Sequence, residues 1–283
     1  MCVNFQVAVE TMDKQIFLDE YSADQTILKY RFTTAGKGIN YLLEHEYGDI
    51  YRKVITQLPE SFRRKGLRIL EFGCGAGMNL IHVAAMIQQS GIPLAQACGT
   101  DFSDKLIQAA RVDAAERLKP QIRDKVKFMV GRNEALIEDL SSGLGTSGAA
   151  LRGSMHMVFG VNTFRYCFRI DKENETAEQI FDLLDAGGVC VNIDMNAQFR
   201  FFKSRLLRKE PVQEKQYYIP VLEEYARPFE KAGFEILTAK NFSWMPHSAG
   251  PALATVCKAL GPAFDLVASR YALRSLVIAR KPA

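Results

Sequence analysis

The chain has 283 residues, enough for one large domain or two small ones. With 48% apolar and 24% charged residues it is no disordered polyelectrolyte but a chain of ordinary soluble globular balance. A formal charge of +4 is too mild to call for nucleic acid, and no apolar run approaches the ~20 residues that a membrane span needs.

The six cysteines (Cys2, Cys74, Cys98, Cys167, Cys190, Cys257) form no C-x-x-C pair. Several lie in apolar runs, so buried free thiols in a reducing, cytoplasmic compartment are expected. No cluster of histidine, cysteine and acid has metal-ligand spacing, so no metal is expected. The N-terminus carries Glu10 and Asp13 and no basic start before an apolar core, so a signal peptide is not expected.

Residues 1–66 read as helical. Phe17, Leu18, Tyr21, Ile27, Leu28 and Tyr30 recur at mixed helical spacing, Ala35-Gly36-Lys37-Gly38 breaks the pattern, and Ile39–Leu58 resumes it until Pro59. Leu67–Phe72 is a short apolar run of the kind that forms a buried strand. Gly73, Gly75 and Gly77 follow at alternate positions, and Asn79 is expected to N-cap a helix over Leu80–Gln89 that ends at Ser90-Gly91. Strand, glycine turn and helix together offer a ligand bare N–H groups at a helix N-terminus. A dinucleotide fingerprint, Gly-x-Gly-x-x-Gly, would need glycine at position 78, which is methionine. The stretch reads instead Glu71-x-Gly73-x-Gly75-x-Gly77.

This stretch resembles the first motif of the class I S-adenosylmethionine-dependent methyltransferases. The resemblance covers roughly residues 67–240 and the final strand. It implies an α/β fold: a doubly wound, mostly parallel seven-stranded sheet with an antiparallel last strand. It divides the chain into an N-terminal helical cap at 1–66 and a Rossmann-like domain at 67–283, with substrate-side insertions at 197–222 and 241–271. It also implies S-adenosylmethionine as cofactor, lined by Glu71, Gly73, Cys74, Gly75, Gly77 and Asn79.

Pro93–Thr100 is the second strand candidate and ends at Asp101-Phe102-Ser103. A carboxylate accepts from both ribose hydroxyls at once, and the resemblance gives Asp101 that task, with Phe102 beside the adenine. Ser103, counted with the cofactor residues, is expected to cap the helix Asp104–Leu118. After the third strand, Val126–Val130, the resemblance places a residue pair at the adenine amino group. Asn133 fits best, because an amide both accepts and donates, and Glu134 lies next to it. Arg132 stands where the resembled proteins commonly carry an acid. Ser141–Gly153 is rich in glycine and serine and reads as an exposed loop.

Met155–Gly160 is the fourth strand. In open α/β sheets ligands sit at the carboxyl ends of the strands, so Val161–Cys167 should face the transferred methyl group. Asn162 and Thr163 are assigned to the cofactor and Tyr166 to catalysis. The Asn/Asp-Pro-Pro-Tyr sequence of enzymes that methylate nucleic-acid bases is lacking. His156 and Cys167 read as structural residues. Asp171–Leu184 has helical spacing, Asp185–Gly188 ends it, and Val189–Ile193 is the fifth strand. Asp194 at its carboxyl end could take a proton or hold an acceptor amine. Residues 199–209 mix aromatic and basic side chains, Val221–Ala232 reads as a helix and Phe234–Lys240 as the sixth strand. Asn241–Tyr271 is too long for a hairpin loop and is expected to wall the acceptor pocket, with a helix over Ala252–Ala268 broken at Gly261-Pro262. His247, within it, is the general-base candidate. Leu273–Arg280 is the last strand.

The expected reaction is transfer of a methyl group by in-line displacement to an oxygen, nitrogen or carbon of a small, partly apolar metabolite, as in secondary metabolism. A protein or nucleic-acid methyltransferase and a non-catalytic cofactor-binding regulator are the alternatives. A small-molecule acceptor is the expected partner, with neither nucleic acid nor stable membrane insertion. A homodimer stays open.

Overall fold

The computed structural model describes residues 42–199, 219–246 and 249–283. Seven strands form one sheet: β1 Leu67–Phe72, β2 Leu94–Asp101, β3 Val126–Val130, β4 Met155–Val161, β5 Leu184–Met195, β6 Glu235–Phe242 and β7 Arg274–Arg280. Their order is β3-β2-β1-β4-β5-β7-β6. The first five strands pair in parallel, and β7 runs antiparallel between β5 and β6. Strand order reverses between β1 and β4, the place where an open α/β sheet leaves a crevice at its carboxyl edge.

Alternate residues of each strand face opposite layers, and in the inner strands β1, β4, β5 and β7 both layers are largely buried, which explains their apolar runs, while edge strand β6 is mostly exposed. Ile69, Met157, Phe159, Val191 and Ile193 pack on one face under Tyr51 and Val54 of helix α1 (Gly48–Gln57) and Leu80, Val83 and Ile87 of the helix after β1. Leu70, Phe72, Val158 and Cys190 pack on the other face, under Phe164, Ile180, Leu183 and Phe229. Helix α2 (Glu60–Lys65) lays Phe62 flat on His156, with ring centroids 4.1 Å apart. His156 Nδ1 accepts from the Arg68 N–H at 3.1 Å and burial lowers its pKa, so this histidine is structural.

Several local expectations are corrected. The helix after β1, α3 (Met78–Gln89), has Gly77 as its N-cap, in the left-handed region at φ +79°. Asn79 therefore lies in the first turn, not at the cap, because the glycine turn delivers the chain already curved into the helix. The stretch 141–153 is not a loop. Helix α6 spans Leu136–Leu144 and buries Leu136 and Leu140, while α7 covers Gly148–Leu151 behind a Ser147 cap. Between β2 and β3 lie α4 (Asp104–Arg117) and α5 (Pro120–Arg123), and Ser103 does cap α4, accepting from the Leu106 N–H. After β4 come α8 (Arg165–Arg169) and α9 (Glu173–Leu183). β5 starts at Leu184, directly after α9, so Asp185–Gly188 is an irregularity within the β4–β5 pairing and not a turn before it. Helix α10 (Leu222–Lys231) precedes β6. Helix α11 runs unbroken from Pro251 to Ala268 with Pro262 inside it, so the expected break is absent. Residues 1–41, most of 197–222, and His247 lie outside the described residues.

Candidate active site

The glycine turn is built by close approach. Gly73 has φ +58°, and a Cβ there would stand 1.9 Å from Thr163 Oγ1, so the loop after β4 lies directly against bare backbone. Gly77 is similarly pressed on the Phe128 ring, which also backs Gly99 of β2. Gly75, with φ +53°, has no heavy atom within 4 Å of its Cβ position, so the turn is open on that side.

Two buried carboxylates brace this turn. Glu71 Oε1 accepts from Asn79 Nδ2 at 3.0 Å and Oε2 from the Leu80 N–H at 2.9 Å, tying β1 to the start of α3. Burial pushes its pKa up to about 8, against those two hydrogen bonds, and the Asp101 charge adds to the rise. Asp101 Oδ2 accepts from the Gly75 N–H at 2.9 Å, and Oδ1 from the Ser103 N–H at 3.0 Å. Its pKa rises to about 6, again chiefly through burial. Each Asp101 oxygen keeps a second lone pair for a further donor. Cys74 donates its N–H to Thr100 O at 2.8 Å, and burial holds its thiol neutral.

The third and fourth strands close the site. Asn133 Nδ2 donates to Thr163 Oγ1 at 2.8 Å, bringing the residues after β3 and β4 together beside Gly73. Asn162 sits at φ +56°, held by its N–H to Ile193 O at 2.8 Å. Its Oδ1 is a buried acceptor with no partner, as is Thr100 Oγ1. Arg132 is turned away into α6, gripping Asp139 through its main-chain N–H, Nε and Nη2. That explains why its departure from the expected acid leaves Asn133 in place. Glu134 sits in the short 3₁₀ turn Asn133–Ala135, which is pinned to α9 by Gln179. Phe102 is partly exposed next to Asp101.

Residues 70–190 match a methyltransferase domain model. Residues 70–190, about two fifths of the chain, are therefore similar to a methyltransferase domain. No curated protein matches by sequence alone. Among solved structures, the chain is similar to magnesium protoporphyrin IX methyltransferase from Synechocystis PCC 6803 with bound S-adenosylhomocysteine, at 14% identity and TM-score 0.58, over 95% of this chain and 99% of that one. It is similar to the methyltransferase that Haloferax volcanii pairs with the activator Trm112, at 15% identity and TM-score 0.57, over 94% and 97%. A third likeness is phosphoethanolamine N-methyltransferase 2 of Haemonchus contortus with S-adenosylmethionine, at 18% identity and TM-score 0.55, over 94% and 59%.

The methyltransferase cofactor fits these residues. An open glycine turn, a buried carboxylate with spare lone pairs and an unpartnered Asn162 oxygen offer an amino-acid end and a ribose the partners they need. At the carboxyl ends of β4 and β5 the side chains are already engaged with one another. Asp194 is buried and takes three donors: the Arg165 N–H at 3.0 Å, the Met195 N–H at 2.8 Å, and Arg165 Nη1 at 3.4 Å. Burial raises its pKa and the Arg165 charge opposes this. Tyr166 accepts from Arg165 Nη2 at 2.9 Å, and its ring lies 4.6 Å from the Arg169 guanidinium carbon. Sequence reasoning missed Arg165, because its partner is 29 positions away and no motif links them. It also missed Phe128. A glycine at position 99, in register with Phe128 on the adjacent strand, was the available signal.

Proposed function

We propose that this methyltransferase acts on a small, partly apolar molecule. The observation that carries the reading is the segment from Ser243 to Ala268, which returns from β6 to β7 at the carboxyl edge of the sheet and holds Lys258 and Asp265 as its only formal charges. A surface that follows a phosphodiester backbone would need clustered lysine and arginine there.

S-adenosylmethionine brings a methyl group on a sulfonium, which is already a good leaving group. The chain's own tasks are binding, alignment and exclusion of water. The N–H groups of the 73–77 turn and Asn162 would take the amino-acid end of the cofactor. Asp101 would accept from the ribose hydroxyls, and Asn133 would meet the adenine amine. Glu71 supports the turn through α3 and does not reach past it. Asp194 positions the loop after β4 by holding the Arg165 backbone. Tyr166 and His247 are the proposed acceptor-side residues, with His247 as the base wherever the acceptor must lose a proton.

The test is release of S-adenosylhomocysteine from S-adenosylmethionine in the presence of acceptor pools. Small amphipathic molecules should support turnover, insensitive to added salt. Turnover confined to RNA, DNA or protein pools overturns the reading. His247→Ala should lower kcat at least tenfold and leave the affinity for S-adenosylhomocysteine unchanged, and full activity in that variant removes His247 as the base.

A further inference from the structure

Tyr51 of helix α1 carries a hydrogen-bonding group that the fold leaves unused. The residue is fully buried, yet its hydroxyl has no partner. Its ring rests on Phe159 of β4, with centroids 5.2 Å apart. Phe159 is in register with Glu71, the second-last residue of β1, and the Glu71 charge acts on the Tyr51 hydroxyl. The hydroxyl therefore stands near the carboxyl end of β1, beside the glycine turn. Burial, with Glu71 adding to it, raises its pKa well above the ordinary tyrosine value, so it is a neutral donor at working pH. Packing alone does not account for it. Phenylalanine would supply the same ring contact without a buried hydroxyl that has lost water and gained nothing. Two partnerless acceptors lie at the same end of the sheet. Asn79 Oδ1 belongs to the amide whose Nδ2 holds Glu71 Oε1, and Asn162 Oδ1 follows the end of β4.

We infer that Tyr51 donates a hydrogen bond to the carboxylate at the amino-acid end of the cofactor, a contact made from helix α1 and not from the sheet. It rests on the S-adenosylmethionine site proposed above. An amino-acid end is a zwitterion, so its ammonium needs acceptors and its carboxylate needs donors. Asn79 Oδ1 and Asn162 Oδ1 suit the ammonium. The N–H groups of the 73–77 turn and the Tyr51 hydroxyl suit the carboxylate. Strand order separates this end from the adenosine. Asp101 and Asn133 follow β2 and β3, on one side of β1, whereas Tyr51 sits on β4, on the other. Tyr51 thus meets the amino-acid end and leaves ribose and base to the sheet. The contact also gives the unpaired hydroxyl its purpose: it costs stability in the free protein and is satisfied when the cofactor is bound. Tyr225 of α10 is a natural control. It buries a partnerless hydroxyl too, but in the opposite layer, where the charges acting on it are led by Asp194.

The experiment is calorimetry of the full chain with two ligands, S-adenosylhomocysteine and methylthioadenosine, which keeps the adenosine and the sulfur but has no amino-acid end. Tyr51→Phe should weaken S-adenosylhomocysteine by about tenfold or more and methylthioadenosine by less than about twofold. Without ligand the variant should melt at or above the wild-type temperature, because it keeps the ring and loses only an unpaired hydroxyl. Tyr225→Phe should leave both affinities as they are. Unchanged affinity of Tyr51→Phe for S-adenosylhomocysteine overturns the inference. So does an equal loss with both ligands, which would mean that Tyr51 shapes the turn, or a loss shared by Tyr225→Phe. A lower ligand-free melting temperature overturns it as well, since that is what breaking a water-mediated structural link would give. These outcomes leave the cofactor reading standing, because the wild type still binds. A wild type that binds neither ligand overturns the cofactor reading, and this inference with it.

Discussion

Asp101 is an acid whose neighbours are arranged for a charge that burial opposes. Its two backbone donors pull its pKa down while burial raises it to about 6. A ribose needs the ionised form as acceptor, so affinity for S-adenosylhomocysteine should fall as pH drops through about 6. Calorimetry from pH 5 to 8 would show this, and Asp101→Asn should flatten the profile while Asp101→Ala weakens binding at least tenfold throughout. Glu71 gives a second pH effect, on stability. Its pKa in the fold, about 8, exceeds the ordinary 4.5, so the folded protein holds more protons than the unfolded chain between those values. Its contribution is fully present below about pH 4.5 and is lost as pH rises through about 8. The melting temperature should decline across that window, and Glu71→Gln, which cannot ionise, should decline less. Gly73 sets a steric limit nearby. Alanine there must adopt φ +58° and meet Thr163 Oγ1 at 1.9 Å and Cβ at 2.5 Å, and rotating the threonine leaves the second clash in place. The substitution should destabilise by about 2–4 kcal/mol in a denaturant titration, with cofactor affinity lost in parallel.

At the level of elements, the turn between β1 and α3 is only as firm as the strand beneath it. Phe128 of β3 supports both Gly77 and Gly99, so Phe128→Ala should cost about 3 kcal/mol and also weaken cofactor binding by loosening the turn. A loss of stability with unchanged affinity would show that the turn holds itself. Elements that depend on local pattern were legible from the chain alone: β1 and β3 begin and end where their apolar runs do. Elements decided by packing were not. Ser141–Leu144 reads as loop, yet α6 continues through it because Leu136 and Leu140 are anchored in the core and Gly143 fits against Met129. Pro262 reads as a break, but on α11 it costs only one hydrogen bond on an exposed face. The same division separates the two halves of the site. The residues proposed for the cofactor follow strand ends in a fixed order and carry motifs. Arg165 and Asp194 meet only because β4 and β5 are neighbours, and residue type alone gives no hint of it.

Across the whole molecule, the proposed cofactor site gathers the carboxyl ends of β1, β2, β3 and β4, on both sides of the reversal in strand order. Gly75 with Asp101, and Asn133 with Thr163, are pairs that bridge segments 26 and 30 positions apart. A ligand seated across them binds the folded sheet and has no site in the unfolded chain, so it must raise global stability by mass action. At a hundredfold excess over Kd the gain is about 2.7 kcal/mol, which for a chain this long corresponds to a shift of about 5 °C in Tm. S-adenosylhomocysteine should produce that shift in a single cooperative transition, because the bridged strands share both core layers. NAD should produce none, since the turn lacks the third glycine of the dinucleotide spacing. Asp101→Ala, binding at least tenfold more weakly, should cut the shift to about half or less, and it should lower the ligand-free melting temperature by a few degrees, because it strands the buried Ser103 N–H that Oδ1 accepts from. Should S-adenosylhomocysteine move only a minor early transition, the glycine turn would be an independently unfolding unit, and the coupling between β1 and β4 would be weaker than their shared packing implies.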